Sequence, residues 1–465
     1  MTTRLSASNK ALGWALLPII LTGAALMYVL FVLKGGPHIP LLLGCAITAL
    51  IGVFRGIRWQ EIQSAMITNI AESLPVLGIF MLVGMTISSW IAAGTVPFLT
   101  VQGITMISPD WFLPATCLLC AVVSVFTGTS WGTVGTIGLA LMGMAEVLGV
   151  SVALCAGAIV SGAWFGDKMS PLSDTTNFTA AIARVDLYTH IRNMIPSTLP
   201  AMCVSLVAYY WLGPVTSTST FTDSSLNLLS ASIDQQFDLS WWVILPPCVI
   251  GITIYFRLPA IPGIFFGVVA ACLVAVWGQG VTPESLVQLL MNGFQSHTGQ
   301  PGLDALLSKG GLMSMMWVIS LIILAMALGG ALQATGSLET LLLALLKVAS
   351  TRFRLVLVTL LAALGFNFAS NAFIAYTLPG RMLLPAYQQR GLSGANLSRL
   401  LEDGATMSAP LIPWNSGGVF VAGTLGVPTL LYAPFAFANW LAPLFDLLWA
   451  ALNWFMPTSA VKQVR

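Results

Sequence analysis

The sequence predicts an all-α polytopic membrane protein built from two inverted repeats, and three observations support this. Hydrophobic residues make up 57% of the chain and charged residues only 7%, with a mean hydropathy of +0.90; soluble chains carry about a quarter charged residues. Apolar stretches long enough to cross a bilayer recur from one end to the other. Matched polar interruptions fall inside those stretches at a spacing of about 240 residues. The net charge of +2 is thinly spread, so no nucleic-acid partner is expected; the partner of this surface is a lipid bilayer.

Taken in order, residues 1–36 hold a first helix, apolar over 13–33, with Arg4 and Lys10 before it and no small-residue cleavage site behind it. Residues 37–213 form the first repeat: spans at 37–54, 73–93 and 193–213, a re-entrant hairpin at 112–149 and a broken helix at 152–182. Residues 214–257 hold a Ser/Thr-rich loop and a linking span at 241–256. The second repeat, 258–456, has spans at 258–277, 312–334 and 429–456, a hairpin at 353–390 and a broken helix at 397–424. Residues 457–465 are a tail. The expected total is about ten spanning helices plus two hairpins. Two amphipathic pieces, 57–72 and 284–298, read as interfacial helices.

The repeat rests on short anchors. Ala93-Gly94-Thr95 matches Thr335-Gly336-Ser337, Phe126-Thr-Gly-Thr-Ser130 matches Phe366-Asn-Phe-Ala-Ser370, and Met169-Ser-Pro171 matches Met407-Ser-Ala-Pro410. Orientation comes from Lys and Arg. If both hairpins return to the side they enter from, Arg4, Lys10, Arg55, Arg58, Arg184, Arg192, Arg257, Lys347, Arg352, Arg354, Arg390, Arg399, Lys462 and Arg465 fall inside, with Lys34 and Lys309 outside. Both termini are then cytoplasmic, the 214–240 loop is external, and the halves are inverted. Inverted repeats with broken elements at the midplane are the mark of an alternating-access transporter.

The chemistry concentrates in Gly162-Ala-Trp-Phe-Gly-Asp-Lys-Met-Ser-Pro-Leu-Ser-Asp-Thr-Thr-Asn-Phe178. Pro171 blocks a continuous helix, and Gly162 and Gly166 are expected to loosen the turn before it. Ionisable groups at membrane depth mark function, and carboxylates, hydroxyls and an amide at a break suit a small hard cation. The hairpin tips, Thr127–Thr136 and Asn367-Phe-Ala-Ser-Asn371, offer hydroxyls and amides, although Gly and Thr equally serve helix packing. The second break, around Pro410 and Pro413, sets Asn415 and Ser416 where the first sets Thr176 and Asn177. A charged first half and a neutral second half imply one dominant cation site near the first break. Lys168 reads as a counter-ion to Asp167 or Asp174, or as a snorkelling side chain. Glu402 and Asp403, near Arg399, read equally as an interfacial salt bridge or a transport site. Asp446 reads as a lone mid-span carboxylate able to carry a proton, and His190 as an interfacial histidine or pH sensor.

Other classes find little support. The seven cysteines lie mostly in apolar segments and read as buried thiols, and Cys117-x-x-Cys120 has no partners for a metal. There is no Walker A sequence and no nucleophile–base set, so neither ATP coupling nor an enzyme is expected, and no cofactor is required.

In Phe126-Thr-Gly-Thr-Ser-Trp-Gly-Thr133, Gly157-Ala-Ile-Val-Ser-Gly-Ala163 and Gly166-Asp-Lys-Met-Ser-Pro-Leu-Ser-Asp-Thr-Thr-Asn177, the chain resembles the NhaC family of Na+/H+ antiporters, over nearly its whole length. The resemblance implies the ion transporter superfamily fold of two inverted repeats. It implies first-half site positions at Thr129, Ser130, Asp167, Ser170, Ser173, Asp174, Thr175 and Asn177, with Na+ held by Asp174, Asp167 and Ser130. The second-half positions, Ser370, Asn371, Asn415 and Ser416, come from the internal repeat. The expected activity is secondary Na+/H+ antiport at the inner membrane, exporting Na+, with Li+ as a further cargo; a homodimer is compatible with the sequence. The alternative is a Na+/H+-coupled malate/lactate antiporter of the same fold. Against it, none of the polar site residues is an arginine suited to a substrate carboxylate, and the only candidate, Arg381, stands in a hairpin leg about 15 Å from its tip by helical rise. A passive cation channel would need no protonatable group at the break.

Overall fold

The computed structural model describes residues 9–99, 109–216, 233, 235–256, 258–296, 304, 307–370 and 372–458. Among them every regular element is helical, apart from one isolated bridge between Leu392 and Thr458. This follows from composition: a backbone in lipid must satisfy its own hydrogen bonds. Five helical stretches are long and apolar enough to cross a membrane: Lys10–Val32, Trp59–Ala92, Leu187–Gly213, Leu312–Ala334 and Arg352–Ala369. A sixth would be the pair Ser416–Leu425 and Thr429–Phe435, which bends by 92°. The shorter apolar helices His38–Phe54, Trp241–Thr253, Ile261–Trp277 and Phe437–Leu452 occupy stretches expected to span. Exposed Trp, Phe and Leu side chains such as Phe54, Trp211 and Trp277 belong on such a lipid-facing perimeter. The chain is a multi-pass membrane protein.

The apolar stretches expected as hairpins and broken helices are each interrupted. Pro109–Thr127 ends at Gly128-Thr129, and Ser130–Thr133, a π-helical turn Val134–Gly138 and Leu139–Val147 follow. An apolar cleft of about 460 Å³ is lined by Val122 and Phe126 of the first arm and by Ile137 and Ala140 of the second. Arg352–Ala369 and Ala372–Gln389 pack on each other around Ser370. Val152–Met169 stops before Pro171 and resumes as Asp174–Ile182. Gly394–Leu401 runs into a π-helical turn Glu402–Thr406, then a 3-10 turn Ala409–Leu411, and helix returns at Ser416–Leu425. In the first sequence anchor, Gly94 and Gly336 both take left-handed backbone, with φ of 78° and 66°.

The amphipathic piece 57–72 forms the helix Trp59–Glu72, which packs along Met316–Ala334, where Gly330 admits the Ala65 backbone and Asn69 donates to Gln333 at 3.1 Å. Two sequence readings change. The apolar stretch 429–456 is not one helix, because Pro434 falls in a 3-10 turn, Ala433–Phe435, before Phe437–Leu452. Gly162 and Gly166 do not loosen a turn. Helix continues through both to Met169, and they form a flat face on which Pro109–Thr127 sits. A Cβ on Gly162 would strike the Cys117 carbonyl, and one on Gly166 the Ala121 carbonyl. Small residues allow such backbone contact in membranes, where no hydrophobic effect drives helices together.

That face holds the functional break in place and can be tested. Gly162→Ala should cost about 1–3 kcal/mol through overpacking against fixed backbone. Gly23→Ala, where nothing lies within 4 Å, should be neutral or slightly stabilising. Thermal unfolding in detergent reads both; equal melting temperatures for the two variants would contradict the close-packing account.

Candidate functional site

The break in the first half is built from its own side chains. Ser170 turns the chain to extended backbone (ψ 131°), Pro171 and Leu172 follow, and Ser173 (ψ 136°) precedes the next helix. The carbonyls left behind find local donors, as buried backbone must. Asn177 Nδ2 donates to the carbonyls of Pro171 at 2.9 Å and Ser173 at 2.7 Å. Thr176 Oγ1 donates to the Lys168 carbonyl at 3.0 Å. Ser170 Oγ accepts from Leu172 N at 3.2 Å, and the Ser173 and Thr175 hydroxyls meet at 3.1 Å. Asn177, Ser170 and Ser173 therefore shape the break.

Asp167 is the buried carboxylate of the site. Its Oδ2 accepts from the Ser130 hydroxyl at 2.6 Å and from Ser130 N at 3.1 Å. Its Oδ1 is buried with no hydrogen-bond partner. Ser130 is set there by Thr129, whose Oγ1 accepts from Gly132 N at 3.2 Å and starts the short helix after the tip. Gly128 sits directly against Leu172, so tip and break are locked together. Asp174 opens its helix, is exposed, and accepts from Thr175 N at 2.8 Å.

These residues meet a cavity of about 120 Å³. Ser130, Asp167, Asp174 and Thr175 line it from the first half, and Tyr376, Thr406 and Ser416 from the second. Glu72, which the sequence did not single out, lines it too. No Lys or Arg is among its lining residues, and Arg381 is exposed elsewhere. Asp174 also lines a neighbouring cavity of about 420 Å³ beside Thr129 and Gly132. Among the described residues no cluster of three His, Cys, Asp or Glu is arranged to hold a metal, so any cation here would lean on hydroxyls and carbonyls as well.

The second-half candidates divide. Ser416 lines the cavity, whereas Asn415 faces the other tip, donating to the Asn367 carbonyl at 3.0 Å and accepting from Gly417 N at 3.1 Å. Asn367 donates in turn to Ser408 at 2.9 Å, so the tip amide braces the second break. Ser370 is buried against Gly329 with its hydroxyl unpartnered. Asn371 lies outside the described residues.

Behind the cavity is a cluster of buried charge that corrects several readings. Lys168 does not pair with Asp167 or Asp174 and does not snorkel. It is fully buried and makes a salt bridge to Asp403 from the other half. Asp403 also accepts from Ser197 at 2.7 Å. Asp446 is not a lone carboxylate, because Arg399 Nε lies 2.9 Å from its Oδ1 with both side chains buried. Arg399 is thus no loop cation, and Glu402 and Asp403 are not interfacial. Glu402 accepts from Thr406 and, at 3.0 Å, from Thr179; His190 is buried with Nε2 3.3 Å from Thr179. The available signal was Glu402-Asp-Gly-Ala-Thr406 itself, a polar run inside an apolar stretch beside a break. Its spacing could not say which cation, across about 235 residues, would meet it.

The comparisons with known proteins point to antiporters of differing cargo. The family model described as Na+/H+ antiporter family matches residues 162–454. The Na+/H+ antiporter NhaC of Alkalihalophilus pseudofirmus is 39% identical, over 96% of both chains. The arginine/ornithine antiporter ArcD of Halobacterium salinarum is 36% identical over 96% of this chain and 93% of its own. The malate-2H+/Na+-lactate antiporter of Bacillus subtilis is 33% identical over 85% of each.

The buried pair carries a stability prediction. Asp403→Asn strands the Lys168 ammonium and should cost about 3–5 kcal/mol. Replacing both partners, Lys168→Met with Asp403→Leu, should recover most of that loss. Denaturation in detergent measures it, and additive losses in the double variant would show that the two charges are not paired.

Proposed function

The chain belongs to the Na+/H+ antiporter family, and from that premise we propose that it exports Na+, and Li+ in its place, in exchange for H+ across the inner membrane. One observation carries the reading: Asp167, buried at a helix break, has one oxygen held by Ser130 and the other unpartnered at a cavity shared by both halves. An ionised carboxylate with adjacent hydroxyls and an accessible helix break can hold Na+; the same carboxyl, protonated, cannot. Proton and Na+ then exclude each other at Asp167 and Asp174, and exchange follows if the cavity opens to each side in turn. In this proposal Ser130, Thr175 and Ser416 add neutral oxygen, while Thr129, Ser170, Ser173, Asn177, Ser370 and Asn415 hold the breaks and tips in shape. Asp446, ion-paired to Arg399, is a structural charge.

The lining of the cavity supports a small cation as cargo. A dicarboxylate would meet Asp167 and Asp174 with no Lys or Arg among the lining residues to receive it. The inverted halves, the ends of the two repeats near 213 and 258, and cytoplasmic termini complete the proposal and rest on the charge distribution and the repeat.

Transport in proteoliposomes tests it, with Na+, Li+, K+, malate, lactate and arginine offered in turn. Na+ and Li+ should drive proton movement and the organic solutes should not. Asp167→Asn should insert and fold, yet lose Na+-driven proton movement by about 100-fold or more. It should also lose proton-independent Na+/Na+ exchange, because the ligand itself is changed. Wild-type exchange in a folded Asp167→Asn protein would refute the site.

A further inference from the structure

Behind the cation cavity, the buried charges do not balance. Lys168 sits against Asp403 and Arg399 against Asp446, which leaves Glu402 as a fully buried carboxylate with no cation in salt-bridge contact among the described residues. Hydroxyls alone hold it: Thr406 donates to Oε2, and Thr179, which shares its hydroxyl proton with the Thr175 carbonyl at 2.9 Å, donates to Oε1 at 3.0 Å. Each hydroxyl continues to another polar group. Tyr376 Oη lies 2.8 Å from Thr406 Oγ1, and His190 Nε2 lies 3.3 Å from Thr179 Oγ1. Tyr376 and Thr406 line the cavity. His190 lies in the first turn of Leu187–Thr216, beside exposed Asp186, Tyr188, Thr189 and Arg192, and its Nδ1 is buried without a partner.

We propose that Glu402 passes protons between the cation cavity and the start of the Leu187–Thr216 helix, along the continuous chain Tyr376, Thr406, Glu402, Thr179, His190. The proposal rests on the Na+/H+ exchange reading and deepens it by giving the proton its own route. When the start of the Leu187–Thr216 helix admits water, hydronium gives a proton to His190 Nδ1, which is buried and unpartnered in this conformation, and the imidazolium releases its Nε2 proton to Thr179 Oγ1. Thr179 passes its own hydroxyl proton to Glu402 Oε1. The histidine is left neutral with its proton on Nδ1, and Glu402 is neutral. The carboxyl then rotates to carry its proton from the Thr179 side to the Thr406 side, and Glu402 returns it through Thr406 to the Tyr376 hydroxyl, which gives up its own at the cavity. No bond other than O–H and N–H changes. The titratable groups around Glu402 on the packed elements are Asp403 and Arg399 on its own segment, Asp167 and Lys168 on Val152–Met169, Asp174 on Asp174–Ile182, His190 on Leu187–Thr216, Tyr376 on Ala372–Gln389 and Asp446 on Phe437–Leu452. Among the described residues, only His190 and Tyr376 join Glu402 by hydroxyl relays.

Glu402→Gln keeps the size and the hydrogen bonding but cannot carry the proton. In proteoliposomes it should slow Na+-driven proton movement about 100-fold, while exchange of radiolabelled Na+ for Na+, which needs no proton, stays within about twofold of wild type. Thr179→Val, which removes the relay hydroxyl at constant shape, should show the same split and decides the matter if Glu402→Gln does not insert. Wild-type proton coupling in either folded variant would overturn the route. So would equal loss of both exchanges, which would place Glu402 in the cation site itself. Absence of Na+-driven proton movement in the wild-type protein would instead defeat the antiport reading.

Discussion

The salt bridge between Lys168 and Asp403 joins the broken helix of one half of the chain to the π-helical turn of the other, and the geometry of the site depends on it. Lys168 is the neighbour of Asp167 and the last basic residue of its helix. Fixing its ammonium in the opposite half therefore fixes where Asp167 ends and where the break begins. Opposite it, Asp403 is followed by Thr406, whose hydroxyl lines the cavity. One buried pair thus registers both walls of the cavity against each other.

Such a pair adds little net stability, since desolvating both charges roughly cancels their attraction. What it supplies is position. A carboxylate at membrane depth must be held without being neutralised by the protein, or it could not exchange partners. Here Asp167 is held on one oxygen by Ser130, while the nearby ammonium is already committed to Asp403. The flat face at Gly162 and Gly166 does the mechanical part, bringing Pro109–Thr127, and with it the tip bearing Ser130, against the helix that carries Asp167.

The breaks are legible in the sequence because a proline amid clustered polar residues is incompatible with an unbroken apolar helix in lipid. Asp167 and Ser130 stand out through the wording of their motifs, and they meet. Asn177, Ser170 and Ser173 stand out equally, but a small polar side chain beside a break can satisfy a stray carbonyl as well as bind a ligand, and the pattern is the same for both. Sequence proximity favours Asp167 as the partner of Lys168, whereas the true partner, Asp403, comes from the other half. Arg399 and Asp446 mislead for the same reason: one looks like an interfacial cation and the other like a lone acid until the fold places them 2.9 Å apart. The glycine spacing at 162 and 166 is visible, but whether it serves a turn or a contact depends on a helix far upstream.

The central claim is that Na+ and a proton compete for one carboxylate site, and the pH dependence of Na+ affinity tests it most directly. The half-saturating Na+ concentration should be measured between about pH 6 and 9 in proteoliposomes. If one proton leaves for each ion bound, it should rise about tenfold for each pH unit below the site's titration point and level off above it, because only the ionised form binds Na+. A steeper rise would mean that two coupled carboxylates titrate together. A half-saturating concentration flat in pH, across a range where the exchange rate still changes, would show that protons act away from the Na+ site and would contradict direct competition.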